Sequence, residues 1–504
     1  MPDHPPKTVE TDLTAVTVDA ANSPETAILA SNGTDIQPPL PAAGAEEESV
    51  LPARLTTRAL HHAVWTLAWP SVMTMLLQTV NGMMDTFFVG HLSNAPQALA
   101  ATGVGGSVLF LLISLAMGVT VGTTALVARF TGAGDHEEAV HATGQSLALA
   151  VALALVFGTL TYMGRSVIVG WMLDRGHNPE AAALCIQFLS AALLGALPLF
   201  IMNVFHAAFR GLGDTRTPML VTVVAIATHI SLNAALIYGR LGFPRLGVQG
   251  AGTAFALSQW VGMTLFFGAV VRSPLAEALR RAHLIPQVEW LWRILRIGIP
   301  AAIQAVIRTL GMMSFTGILA RAPEAAAGVA AMQIGMRAES IAFMPGFGYS
   351  VAASALVGQS LGARDPERAE RCAWASTGQA ICVMSAMAVL FFSLANLLPL
   401  LFTGDPLVRH LAADYLRIMA LSEPFLALGM VLTGALQGAG DTLRPTYITF
   451  FTFWIVRLPL AEWLMFPLHL NARGAWLAMA ITTVVGGILT VALFHSGKWK
   501  RIKV

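Results

Sequence analysis

The residue best placed to do chemistry is Asp85, the one acid within a mostly apolar stretch that runs from Trp65 to Gly90. The stretch is long enough to cross a bilayer as a helix, which takes about 20 apolar residues. A carboxylate in hydrocarbon costs about 2.5–3.5 kcal/mol on insertion scales, so it usually binds an ion or a hydrogen-bond network. The same stretch carries the polar pair Gln78 and Asn81, and Pro70, which is expected to bend the helix. We predict an ion-responsive centre at Asp85.

A second polar pair, His229 and Asn233, lies in a later apolar stretch. Because these residues are four apart, they would share one face of a helix. They could hold two helices together through hydrogen bonds worth about 0.6–2 kcal/mol. They could also share a proton with Asp85, since histidine titrates near neutral pH. Both interpretations stay open, and the predicted ion-coupling residues are Asp85, His229 and Asn233.

The second half of the chain places charges in apolar stretches as well: Glu339, Glu423, Arg308, Arg337 and Arg457. The simpler interpretation is that opposite charges pair, which would lessen the cost of keeping them in the membrane. The alternative is that some of them contact an ion or the substrate. The predicted substrate cavity comprises Gln78, Asn81, Glu339, Glu423 and Arg308.

The composition indicates a polytopic membrane protein. The 504 residues are 55% hydrophobic and 12% charged, with a formal net charge of +2, whereas globular soluble domains carry about 25% charged residues. Twelve apolar stretches of spanning length lie between residues 62 and 496. The sequence shows no nucleophile–base pair, metal-ligand spacing or cofactor loop. We therefore expect a protein that is not an enzyme, with no cofactor, no metal and no nucleic-acid partner.

Charge placement predicts the orientation. Residues 1–57 are acidic and poor in large apolar residues, which favours a disordered tail. Most Lys and Arg residues near the ends of the apolar stretches lie on the side of the N-terminus, as does the basic tail 498–504. Both termini are therefore predicted to be cytoplasmic. The basic segment 273–292 is predicted to be a cytoplasmic linker.

The chain repeats itself. Gly-Leu-Gly-Asp-Thr at 211–215 matches Gly-Ala-Gly-Asp-Thr at 438–442, and a proline follows each motif. Gly-Ala-Gly-Asp at 132–135 likewise matches Gly-Ala-Arg-Asp at 362–365. Such motifs suit helix ends, because glycine terminates one helix and aspartate caps the next. This interpretation explains the motifs without substrate contact.

The repeat predicts the architecture. Six helices in each half is an even number, so both halves enter the membrane in the same direction as parallel repeats. We predict an all-α membrane protein with twelve transmembrane helices in two six-helix lobes. The N-lobe covers 58–272 and the C-lobe covers 293–497.

These motifs resemble the multidrug and toxic compound extrusion (MATE) family of transporters. The resemblance rests on Pro70 with Asp-Thr-Phe-Phe-Val-Gly at 85–90, on Ala-Leu-Ala-Ala-Thr-Gly at 98–103, on Leu-Val-Gly-Gln-Ser-Leu-Gly-Ala at 356–363 and on the paired turns. It implies a V-shaped pair of lobes and antiport of organic cations or other amphiphiles against protons or sodium ions. It also implies that Asp85 is the acid of the first helix and that Pro70 is the position where that helix bends.

The match is uneven at the other polar positions. Some members of the family carry an Asn and an Asp one turn apart on the fifth helix, where this chain has His229 and Asn233. Others carry acids on helices seven and ten, where this chain has Arg308 and, about one turn away, Glu423. A sodium site in the C-lobe of that type is therefore not expected.

The predicted function is export of amphiphilic or cationic small molecules, or multidrug efflux, by alternating access and driven by protons or sodium ions. The predicted partners are these xenobiotic substrates and membrane lipid. The chain is predicted to be a monomer that crosses the bacterial inner membrane many times. One alternative is a flippase for lipid-linked precursors, which would need a strongly basic cavity. Another is a membrane receptor or scaffold that transports nothing.

Overall fold

The computed structural model describes residues 57–173, 178–240 and 242–502. Within those ranges all regular structure is helical, which confirms the all-α prediction. The predicted acidic tail 1–57 lies outside the described residues except for Thr57. The α-helices are α1 Thr57–Gly90, α2 Ala95–Ala133, α3 His136–Leu173, α4 Pro179–Ala192, α5 Ala196–Leu212, α6 Arg216–Tyr238, α7 Val248–Val271, α8 Arg281–Leu284, α9 Val288–Leu319, α10 Ala325–Gly362, α11 Pro366–Ser393, α12 Pro406–Ala420, α13 Glu423–Gly438, α14 Leu443–Phe450, α15 Leu458–Met465 and α16 Asn471–His495.

The helices account for twelve membrane spans among the described residues. Eleven are long and apolar enough to cross a membrane, and the bent pair α12 and α13 supplies the twelfth. Two of the eleven combine shorter pieces. The 3-10 turn Leu193–Gly195 joins α4 to α5, and the π-helical turn Phe451–Arg457 joins α14 to α15. The predicted number of spans is confirmed. We call α1–α7 the first half and α9–α16 the second half.

The segment predicted as a linker contains a 3-10 helix, Pro274–Leu279, and the short α8. Helix α9 begins at Val288, five residues before the predicted start of the C-lobe at 293. Gln145 of α3 binds this segment, because its side-chain amide donates to the carbonyl oxygens of His283 (2.9 Å) and Ile285 (2.7 Å). The segment is therefore fixed against the first half.

The fourth and tenth spans are interrupted at equivalent places in the two halves. Helices α12 and α13 meet at 56°, and Pro424 is the second residue of α13. In the first half, Pro198 is the third residue of α5, directly after the 3-10 turn. Proline lacks the amide hydrogen that would continue the helical ladder, so both helices restart there. Pro70, in contrast, lies inside α1, which continues unbroken to Gly90.

The repeated turns have the helix-capping geometry that the sequence predicts. Gly213 and Gly440 adopt left-handed conformations, with φ of 88° and 86°. The next residue then caps the following helix. Asp214 Oδ1 accepts from the amide of Thr217 at 3.0 Å, and Asp441 Oδ1 accepts from that of Arg444 at 3.5 Å. The turns therefore connect helices.

The two halves contact each other closely where α2 and α10 end. A Cβ added to Gly132 would lie 1.9 Å from the carbonyl oxygen of Gln359, and one added to Gly362 would lie 2.0 Å from that of Arg129. Side chains of any size would separate these backbones, which is why small residues are favoured at close helix crossings in membranes. The amide of Gln359 adds a bond across the same interface, donating to the carbonyl oxygen of Gly211 at 2.9 Å.

Helices α1 and α9, which the repeat makes equivalent, each pack into both halves. The start of α1 contributes Leu60, Val64, Leu67 and Ala68 to a core cluster made mostly of second-half residues. The start of α9 contributes Trp290, Ile294 and Ile297 to the core of the first half. Toward their other ends, each helix returns to its own half, through Val89 in α1 and Phe315 in α9. The halves are therefore interlocked at the end where α1 and α9 begin.

Candidate functional site

Helices α1 and α6 bring Asp85 together with three other polar side chains. Asn233 donates from Nδ2 to Asp85 Oδ1 at 2.5 Å. His229 Nδ1 lies 3.0 Å from Asn81 Oδ1, and its Nε2 lies 3.6 Å from Asp85 Oδ1. Both pairs join residues spaced four apart on one helix to residues spaced four apart on the other. The three predicted ion-coupling residues therefore converge, and Asn81 completes the group.

Hydrogen-bond geometry favours one protonation pattern for the group. A bond from His229 Nδ1 to the Asn81 oxygen requires a hydrogen on Nδ1. In a neutral ring Nε2 is then an acceptor, and it faces Asn233 Nδ2 at 3.3 Å. The two hydrogens of that amide can thus be donated one to His229 and one to Asp85. A proton added to Nε2 would instead point at the carboxylate, so the group has two adjacent sites for a proton.

The group is buried on one side and open on the other. His229 is 4% exposed and Asn233 is 0% exposed, whereas the Asp85 side chain is 39% exposed. Asn233 Oδ1 has no hydrogen-bond partner among the described residues. The carboxylate therefore lies at the surface of the helix pair, and a buried oxygen beside it can accept a further bond. Within the described ranges no three His, Cys, Asp or Glu side chains cluster as a metal site would need.

Tyr238, which the sequence analysis did not single out, holds the far end of this helix pair. Its hydroxyl donates to the carbonyl oxygen of Phe88 at 2.7 Å, and the two rings meet edge to face. An aromatic residue at the end of an apolar stretch is common in membrane helices, so its sequence position carries no functional signal. Gln78, predicted to line the substrate cavity, lies one turn before Asn81, is exposed and makes no side-chain hydrogen bond among the described residues.

A cavity of about 570 Å³ is lined mainly by the second half, and residues of α2 and α5 from the first half complete its wall. Arg308 and Glu339, both predicted to line the substrate site, line it, whereas Gln78, Asn81 and Glu423 do not. Much of its wall is soft or aromatic: Met117, Met312, Met336, Met419, Met430, Met479, Phe343, Phe347, Phe425 and Phe453. Methionine adapts to irregular shapes, so such a wall can accept ligands that differ in outline.

The charges of the cavity come from three arginines and one glutamate: Arg210, Arg308, Arg457 and Glu339. Two of them have protein partners. Arg457 donates to Thr482 Oγ1 at 2.8 Å and lies 3.9 Å from the centre of the Phe453 ring. Glu339 accepts a hydrogen bond from the Tyr415 hydroxyl at 2.6 Å.

The pairing of opposite charges that the sequence left open is not seen at these residues. Among the described residues, no ion pair within 4.0 Å joins Glu339 or Glu423 to an arginine. Arg337 is exposed and does not line the cavity. Glu423 begins α13 at the break in the tenth span, is 1% exposed, and its Oε2 has no partner among the described residues.

Arg210 is the charged residue of the cavity that the sequence analysis did not name. It lies in the last turn of α5, just before a repeated Gly-x-Gly-Asp-Thr turn. A cation in the last turn of a helix normally interacts with the helix dipole. Its position in the sequence therefore gives no reason to assign it a second role. Only the packing of the two halves shows that Arg210 lines a shared cavity.

Comparison with known proteins identifies the family. The MatE family model matches residues 70–235 and 300–463. A probable multidrug resistance protein NorM of Thermotoga maritima is 32% identical over 435 residues, covering 86% of this chain and 92% of that protein. The multidrug resistance protein MdtK of Photorhabdus laumondii is 28% identical over 438 residues, covering 84% and 93%.

Solved structures agree with this result. A MATE transporter crystallised with MaD3S has a TM-score of 0.80 and 25% identity, covering 88% of this chain and 97% of that one. A MOP-superfamily transporter from Pyrococcus furiosus has the same TM-score and coverage at 24% identity, which is evidence for the fold alone. These likenesses confirm the predicted fold. The chain belongs to the MATE family of membrane transporters.

Proposed function

We propose that this transporter exports amphiphilic or cationic small molecules from the cytoplasm in exchange for protons or sodium ions. The observation that carries the proposal is the Asp85 group. The Asp85 carboxylate lies in a membrane helix, is 39% exposed and is held in place by its bond to Asn233. Ionisable groups at such positions commonly form ion and proton pathways. The names of the bacterial relatives, multidrug resistance proteins, support small molecules as the cargo.

The coupling is proposed to act through α1. An ion at Asp85 changes the charge of the group that joins α1 to α6. The opposite end of α1 packs into the core of the second half. A shift of α1 relative to α6 would therefore also move the start of α1 within the core of the second half. Alternating access further requires that ion and substrate each bind the two conformations with different affinity.

The size of the cavity favours small molecules over the flippase alternative. Ligand pockets for drug-sized molecules measure about 300–1,000 Å³, and the cavity here has about 570 Å³. One observation supports the flippase alternative: three arginines and one glutamate make the lining of the cavity basic.

We further propose that the protein acts as a monomer in the bacterial inner membrane with both termini in the cytoplasm.

The test is transport by the Asp85→Asn variant in proteoliposomes. An anionic and a cationic fluorescent amphiphile are followed in parallel while pH and sodium gradients are imposed separately. We expect the wild-type protein to respond to one gradient and D85N to respond to neither. The matched control is Glu289→Gln, which removes a carboxylate that is 76% exposed and, among the described residues, paired only with Arg293. Gradient-driven transport by D85N at the wild-type rate would contradict the proposal.

A further inference from the structure

Two arginines of the cavity have no partner among the residues that the structure describes. Arg210 comes from α5 of the first half and Arg308 from α9 of the second, and both line the cavity. Among the residues that the structure describes, neither guanidinium takes part in a hydrogen bond, an ion pair or a contact with an aromatic ring. Arg457, by comparison, is bonded to Thr482 and lies over the Phe453 ring.

The carboxylates nearby do not neutralise these charges. Glu339 is the acid of the cavity lining, and it is bonded to the Tyr415 hydroxyl at 2.6 Å. Glu423 is 1% exposed and lies outside the lining. With three arginines against one glutamate, the lining is positive even when Glu339 is ionised. A cationic head group entering the cavity would therefore meet net repulsion.

An unneutralised arginine within a membrane protein is costly, and such residues mark sites that meet ions or ligands. Guanidinium groups bind carboxylates, phosphates and sulfonates through paired N–H donors. The remaining wall is apolar and rich in methionine. We propose that the cavity binds amphiphiles whose head group is negatively charged, with Arg210 and Arg308 as the anion-binding residues. This inference rests on the proposed export function and narrows its substrates.

The two arginines also belong to different halves of the molecule. An anion in the cavity is attracted by one group on each half, so it stabilises the conformation in which both face it. A bound cation would have the opposite effect. The same chemistry could serve a free carboxylate-bearing molecule or the head group of an anionic lipid, and the test separates these sources.

The binding test uses two probes with one fluorophore. Dansylglycine carries a carboxylate and dansylcholine carries a quaternary ammonium. Each is titrated into the purified full-length chain in lipid nanodiscs, with binding read from fluorescence anisotropy. We expect dansylglycine to bind at least about tenfold more tightly. Because hydrogen bonds to charged groups are strong, Arg210→Gln and Arg308→Gln should each weaken its binding about 10-fold or more. The same substitutions remove a positive charge that repels a cation, so the affinity for dansylcholine should not fall.

Two further variants make the result specific. Arg337→Gln removes an arginine that is exposed and outside the lining, and it should leave both affinities unchanged. Arg308→Lys keeps the charge and should retain part of the dansylglycine affinity, which a folding defect would not. Equal binding of both probes by the wild-type chain, or unchanged dansylglycine binding in R210Q and R308Q, would overturn the proposal.

Proteoliposomes then identify the source of the anion. Gradient-driven movement of dansylglycine that is lost in R308Q supports a free amphiphile. Scrambling of fluorescent phosphatidylglycerol that is lost in R308Q supports a lipid head group. If neither anion moves while dansylcholine does, the proposal fails and the export function stands. If dansylglycine binds through Arg308 but no gradient drives any probe, the export function fails and the anion site stands.

Discussion

The contact between α2 and α10 predicts how a single methyl group should shift the conformation of the whole transporter. In Gly132→Ala the new Cβ would lie 1.9 Å from the carbonyl oxygen of Gln359, whereas ordinary contacts begin at 3.4 Å. The obstacle is backbone, so no side chain can rotate away and the helices must separate. Overpacking of this kind typically costs about 1–3 kcal/mol. That energy corresponds to about a 5- to 150-fold change in the ratio of two conformations.

Distances between spin labels can measure this shift. Glu137 and Glu367 are exposed, lie in the first turns of α3 and α11, and follow directly on the two crossing helices. Of the three cysteines only Cys382 is exposed, so it alone needs to be replaced before these two sites are labelled. We expect G132A to enlarge the population with a long distance between the labels. The packed arrangement should give the short distance.

The control lies on the same helix. A Cβ added to Gly103 of α2 has no neighbour within 4 Å, so Gly103→Ala makes the same chemical change without a clash. It should leave the distance distribution as in the parent protein. Identical distributions for G132A and G103A, in protein that melts normally, would refute the idea that this crossing holds the halves together.

Two further changes test the polar group and the core. Asn233→Ala removes the donor to Asp85, and because hydrogen bonds to charged groups are worth about 1.5–3 kcal/mol, gradient-driven transport should fall about tenfold or more. Equilibrium binding of the substrate probe should stay the same, and a parallel loss of binding would count against a coupling role. Trp499→Ala removes a ring that is 1% exposed and stacked on Phe494, with 4.6 Å between the ring centres. The free energy of unfolding should therefore fall by about 3–5 kcal/mol. Scanning fluorimetry would show a lower Tm, whereas Trp171→Ala, at an 87% exposed position, should change little.

Much of the fold could be predicted from the sequence because membrane helices are long and strongly apolar. The twelve spans, the repeat and the capping turns all depend on local rules that need no tertiary information. The convergence of His229 and Asn233 with Asp85 was also within reach, because a spacing of four residues puts two side chains on one helical face.

The central cavity was less predictable for a physical reason. Inside a membrane, the face of a helix that meets lipid and the face that meets another helix are both apolar, so periodicity does not separate them. Arg308 and Glu339 could be selected only because they are charged residues within apolar stretches. Glu423 was selected for the same reason, although it lies outside the lining. Arg210 was missed because a cation at a helix end has an ordinary explanation.

The reciprocal packing of α1 and α9 has a consequence for how the protein is made. During synthesis the opening turns of α1 enter the membrane long before α10, against which residues such as Leu60 and Val64 finally pack. Those turns therefore remain exposed to lipid until most of the chain has been inserted. The same exchange of first helices is what two copies of a six-helix ancestor would form by domain swapping. Joining the copies in one polypeptide would make that swap permanent, and neither half expressed alone would possess a complete core.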